Sequence, residues 1–127
     1  DNRRRLQRAE SALRRLVAEQ TGEARVRAQL RLAENLSLQG QAQSALTAVQ
    51  DAQRAYDELH MGGEDVAPMQ AALMFALGET HYLAGDVDVG LAYMQQAILS
   101  AADALERQTL EQRLRSIDTR AEQVLGG

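Results

Sequence analysis

The 127-residue chain has no cysteine, no lysine, one proline and one phenylalanine. The missing cysteine removes disulfide frameworks, thiolate zinc sites and cysteine nucleophiles. The missing lysine makes all fourteen basic residues arginine, which a coding bias towards GC-rich codons accounts for as well as any function. Aromatic residues are only 3% of the chain. No apolar run reaches the length of a membrane span, and no charged head followed by an apolar stretch opens the sequence as a secretory signal would. The expectation is a soluble, cytoplasmic protein with no membrane partner. The chain begins at Asp1 without a methionine and ends in Gly126 and Gly127, so it is expected to be a piece of something larger.

The length suits one domain with a single core. Apolar residues make up 45%, and alanine and leucine dominate them, which favours helices over sheets. The net charge of −4 hides an uneven distribution. Residues 1–31 carry nine arginines against four acids, whereas residues 32–105 carry one arginine against ten acids.

Apolar residues recur every three or four positions, the spacing of one helix face. Leu6, Ala9, Leu13, Leu16 and Val17 predict a first helix over residues 2–20. Leu30, Ala33, Leu36 and Leu38 predict a second, closed by Gly40, which tolerates the left-handed conformation of a helix end. Ala45, Leu46, Val49, Ala52, Tyr56 and Leu59 predict a third, antiparallel to the second across a short link. "HMGGEDVA", residues 60–67, is the longest irregular stretch, and Pro68 suits the first turn of a fourth helix. That helix uses Met69, Leu73, Leu77, His81 and Ala84 and stops at Gly85. Asp86 is placed to cap a fifth, with Leu91, Met94, Ala97, Ile98 and Ala101. Leu110, Leu114, Ile117, Ala121 and Val124 predict a sixth. No strong breaker separates the last two, and a bend is expected over residues 106–109. No segment alternates with period two, so the fold class is all-α.

An internal repeat organises these helices. At an offset of 45, seven of the 25 positions from 28 to 52 are identical to their partners: Leu32/Leu77, Glu34/Glu79, Leu38/Leu83, Gly40/Gly85, Leu46/Leu91, Gln50/Gln95 and Ala52/Ala97. Small residues match too, with Ala33 opposite Gly78 and Ala45 opposite Gly90. Small side chains at those places let two antiparallel backbones come close.

"LRLAENLSLQGQAQSALTAVQDA" and "FALGETHYLAGDVDVGLAYMQQA" resemble tetratricopeptide repeats. Leu77, Gly78, Gly85, Gly90, Met94 and Ala97 fit the family's pattern in the second copy. Leu32, Ala33, Gly40, Ala45, Val49 and Ala52 fit it in the first. The resemblance covers about residues 26–105. It departs in its 45-residue spacing against the usual ~34, in Gln29 and Met74 where the family has an early aromatic, and in lacking a proline directly after the third and fifth helices. It implies a right-handed superhelical stack: a capping or linker helix (1–22), hairpin one (23–59), a loop (60–67), hairpin two (68–105) and a C-terminal capping helix (106–127).

The resemblance also implies a concave groove walled by the first helices of the two hairpins. Arg31, Glu34, Phe75, Glu79 and Tyr82 are the candidate binding residues, with Leu30, Leu38 and Leu83 beside them. Scarce aromatics gathered on one helix suit anchoring, since they bury much area at low rotamer cost. Phe75 packing between repeats remains an equal alternative. Glu34 and Glu79 recur at equivalent positions, which paired-carboxylate catalysis could use, but a polar groove wall explains the recurrence more simply. His81 pairs with Leu36 under the offset and is read as a packing residue at the core or its edge. His60 is read as solvated. No phosphate loop, nucleophile elbow or metal-ligand spacing is present, so no cofactor and no catalytic residue are assigned.

The arginines of "NRRRLQR" could touch phosphates, yet the acidic remainder disfavours nucleic acid. The function expected is therefore a non-enzymatic protein- or peptide-binding module, regulatory or scaffolding, within a larger bacterial-type signalling or transcription-control protein. The alternative is a self-association domain, with the basic helix meeting the acidic body of a second copy in a homodimer.

Overall fold

The structure, a computed structural model, describes residues 1–118. Among the described residues the chain is entirely helical outside its turns: α1 (Asn2–Glu19), α2 (Gly22–Leu38), α3 (Ala42–Met61), α4 (Ala67–Leu83), α5 (Val87–Leu99) and α6 (Ala104–Ile117). The all-α expectation holds.

The 45-residue repeat appears in backbone geometry. Adding 45 to the bounds of α2 gives those of α4, and adding it to the start of α3 gives the start of α5. Gly40 and Gly85 both take positive φ, at 78° and 101°. The amide of each glycine and the one after it return to the helix they leave: Gly40 N–H to Ser37 O at 3.0 Å with Gln41 N–H to Leu36 O at 2.9 Å, and Gly85 N–H to Tyr82 O at 3.1 Å with Asp86 N–H to His81 O at 2.9 Å. This double closure satisfies carbonyls the helix end would leave bare. The residue that starts each second helix has nearly the same angles, φ −93° and ψ 72° at Gln41 against φ −93° and ψ 68° at Asp86. Asp86 holds the cap position without a side-chain cap bond; its carboxylate lies 3.7 Å from His81 Nδ1 instead.

Small residues set how closely the second hairpin closes. A Cβ built on Gly78 would stand 2.6 Å from Met94 Cγ and 2.7 Å from Gly90 O, and one on Gly90 would stand 2.7 Å from Gly78 O. Neither position admits a side chain while α4 and α5 stay this close. Ala33 and Ala45, the equivalents in the first hairpin, are both buried in its core.

Two apolar clusters share α4 between them. Met69, Leu73 and Ala76 join Val26, Leu30, Leu36, Val49 and Ala52 of α2 and α3. Ala71 and Phe75 join Met94, Ala97 and Ile98 of α5 with Leu110 and Leu114 of α6. The single stripe expected for the fourth helix is therefore too narrow, because α4 is covered on two sides and Ala84 at its end is exposed. α1 buries no residue fully. It leans on the first cluster through Leu13 and Val17, and Asn35 Nδ2 of α2 donates to its Leu6 O at 3.0 Å.

Three expectations are corrected by the structure. The loop before the fourth helix is shorter than 60–67: α3 continues through His60 to Met61, and α4 begins at Ala67. Gly63 (φ 89°) ends α3, and Asp65 Oδ1 accepts the Ala67 N–H at 3.1 Å. The break between the last two helices falls at residues 100–103 and not at 106–109. There Asp103 Oδ1 accepts the Glu106 N–H at 2.8 Å and Glu106 Oε1 accepts the Ala102 N–H at 2.9 Å, so a helix start is built without glycine or proline. Leu38, expected on a packed stripe, is 63% exposed at the end of α2. Ala121 and Val124 of the sixth-helix expectation lie outside the described residues.

Candidate functional site

α2, α4 and α6 enclose an open groove of about 710 Å³. Arg27, Leu30, Arg31 and Glu34 line it from α2, Ala72 and Ala76 from α4, and Leu105, Glu106, Leu110 and Arg113 from α6. Small alanines on α4 give the groove its depth, and the helical spacing of 27, 31 and 34 puts those three residues along one edge.

Behind the groove wall, Glu79 on α4 is buried, only 5% exposed. Arg113 Nη2 donates to both of its carboxylate oxygens, at 3.4 Å to Oε1 and 3.2 Å to Oε2. The same nitrogen stands 3.5 Å from Glu34 Oε2 on α2. Beneath it the guanidinium carbon lies 4.6 Å from the centre of the Phe75 ring, within the range of a cation–π contact. Burial raises the Glu79 pKa above the ordinary glutamate value; Arg113 opposes that shift and the nearby Glu34 reinforces it. A buried carboxylate needs a cation beside it, and here one arginine from α6 supplies it to the buried Glu79 and also meets the more exposed Glu34.

The five candidate residues separate accordingly. Glu34, which lines the groove, and Glu79, buried behind it, meet through Arg113. Arg31 is exposed at its edge and enters no ion pair among the described residues. Phe75 does not present its ring to the groove: it is 0% exposed, packed among Met94, Ala97 and Leu114 with Arg113 over it. Of its two readings, packing is the one the geometry takes. Tyr82 is half-buried on the α5 side, its Cβ against Gly90, and is not among the groove-lining residues.

His81 is likewise at the rim and not in the core, stacked on Tyr93 with ring centres 5.8 Å apart and planes 12° from parallel. His60 is exposed near the end of α3. Among the described residues no three His, Asp or Glu side chains are grouped to hold a metal ion, and no helix is long and apolar enough to cross a membrane.

Arg113 is the residue sequence reasoning missed. A signal existed: it lies three residues after Leu110 and one before Leu114, at the border of the sixth helix's apolar stripe, where a long charged side chain lays its stem on apolar surface. Nothing local showed that its charge would reach the repeated carboxylates 34 and 79 residues away. Comparisons with protein-family models, curated proteins and solved structures return no match.

Proposed function

We propose that the two hairpins form a tetratricopeptide-like right-handed stack working as a non-enzymatic protein-interaction module, regulatory within a larger protein. A partner segment lies along the groove of α2 and α4. The observation that carries this reading is the groove itself, with the exposed Arg31 at one edge, in no ion pair among the described residues, apolar surface from Leu30, Ala72, Ala76 and Leu105, and Glu34 at the other end paired with Arg113. Such a surface binds by apolar cover and is oriented by charge. The repeat of helix bounds and cap angles at an offset of 45 supports the stacked-hairpin reading.

Arg31 is the residue to test, because it is exposed and its replacement leaves the core untouched. Affinity capture from cell extract would compare wild type with Arg31→Glu and with Arg54→Glu, the latter reversing an exposed charge on α3 outside the groove. A partner held by wild type and Arg54→Glu but lost from Arg31→Glu, at unchanged melting temperature, is expected. Equal capture by all three would refute groove binding.

A second reading is self-association. It is favoured by the segment joining α5 to α6, which turns without glycine or proline and is held by the Asp103 and Glu106 cap.

A further inference from the structure

The turn between α5 and α6 has the Asp103 and Glu106 cap as its one local helix stop. Residues 100–103 are Ser, Ala, Ala and Asp, without glycine or proline, and alanine is the strongest helix former. Ser100 still has near-helical angles, φ −94° and ψ 2°, and its N–H bonds to Gln96 O at 3.0 Å as helix continuation requires. The departure is complete at Asp103, with φ −151° and ψ 177°. Two things hold it there: the Asp103 and Glu106 cap bonds, and the docking of α6 on α4 through Leu110, Leu114 and Arg113.

If residues 100–103 became helical, α5 and α6 would fuse into one long helix and Arg113 would leave its groove. Glu79 would then be buried without a cation, and Phe75, now 0% exposed, would lose the cover of Leu114 and Arg113. That state is tolerable only if another α6 fills the place. A helix that meets every one of these contacts must carry leucine, two intervening residues, arginine and leucine, as Leu110, Arg113 and Leu114 do, and a second copy of this chain carries it by definition. A further observation points the same way: the two leucines flanking the turn, Leu99 and Leu105, are 69% and 74% exposed. Two straightened segments crossing one another would cover them.

We propose that residues 100–103 are a two-state hinge whose straight form produces a dimer with exchanged α6 helices, each copy placing Arg113 between Glu34 and Glu79 and over Phe75 of the other. This deepens the self-association reading and rests on it. The exchanged contacts are those of the closed chain, so the hinge conformation, the cover of Leu99 and Leu105, and protein concentration set the balance.

The test uses the absence of cysteine. Arg31→Cys and Thr109→Cys, at two positions that line the groove from α2 and α6, each introduce a single thiol. The two variants are mixed, oxidised and analysed for disulfides between chains, while sedimentation of the cysteine-free protein gives the monomer–dimer balance. The proposal expects a dimer with the 31–109 bond between chains in excess of 31–31 and 109–109. Asp103→Ala removes the cap and frees the helix to continue, raising the association constant about fivefold per hinge. Ala101→Gly with Ala102→Gly lowers it. A dimer lacking the 31–109 bond leaves self-association standing and overturns the exchange. A monomer at all concentrations, for wild type and Asp103→Ala alike, overturns both.

Discussion

Arg113 Nη2 on α6 stands 3.2 Å from Glu79 Oε2 on α4 and 3.5 Å from Glu34 Oε2 on α2, so one side chain ties three helices together. Removing one member of a fully buried pair costs about 3–5 kcal/mol, but the Arg113 side chain is 31% exposed. Discounted for that solvent screening, Arg113→Ala should lose about 1–2 kcal/mol. Arg113→Lys should lose less, since it keeps the charge and forfeits the planar fork and the stacking on Phe75. Urea denaturation of both variants measures this; a wild-type midpoint for Arg113→Ala contradicts it.

Glu79 gives the same cluster a pH signature. Its folded pKa is raised, first by burial, so the folded state binds a proton more readily than the unfolded one. Its contribution to stability therefore grows as pH falls through the folded titration range, which lies above the ordinary glutamate value, and levels off below the unfolded pKa. Denaturation midpoints of wild type and Glu79→Gln across that window should change relative to each other, wild type gaining on the variant towards acid. Parallel profiles contradict the assignment.

Gly78→Ala tests how closely the second hairpin closes. Alanine is worth about 1 kcal/mol more than glycine inside a helix, so an unconstrained site would gain stability. Here the added Cβ meets Gly90 O at 2.7 Å and Met94 N at 2.8 Å, backbone atoms that no rotamer change moves. Overpacking costs typically 1–3 kcal/mol, and a rigid backbone neighbour puts this site near the upper end, for a net loss of about 1–2 kcal/mol. A melting temperature at or above wild type is the contrary result.

How much of this was legible in the sequence follows from how local each cause is. Gly40 and Gly85 close their helices through backbone bonds spanning five residues or fewer, and the 45-residue offset located both. Ala33, Ala45, Gly78 and Gly90 were legible because the absence of a side chain is visible without knowing the partner. The end of α5 was misplaced at 106–109, although Asp103 and Glu106, spaced as a helix-start cap, carried a local signal for the break at 100–103. Phe75 stood equally as a groove anchor, implied by the resemblance, or as packing between repeats; nothing local decided between them, and α6 covers it. Among the candidate site residues Glu34 and Glu79 were found through their recurrence, and Arg113, which joins them, has no counterpart under the offset.

α1 depends on polar contacts more than on burial. Asn35 donates to Leu6 O, its Oδ1 accepts from Gln39 Nε2 at 2.7 Å, and the same Gln39 nitrogen reaches Glu10 Oε1 at 3.0 Å. Glu10 has a lowered pKa from its bonds to Arg14 and Gln39. Asn35→Ala should cost about 1 kcal/mol, concentrated in α1. Amide hydrogen exchange in α1 should speed up several-fold while α4 and α5 keep their protection. Uniform acceleration across all helices would contradict the peripheral docking of α1.

The measurement closest to the central claim is site-specific photo-crosslinking in cells, with a photoreactive amino acid in place of Arg31 in the groove or of Arg54 on α3. The account predicts a discrete cross-linked protein species from position 31 and none of that mass from position 54. The same species from both positions, or from position 54 alone, would contradict a partner bound in the groove.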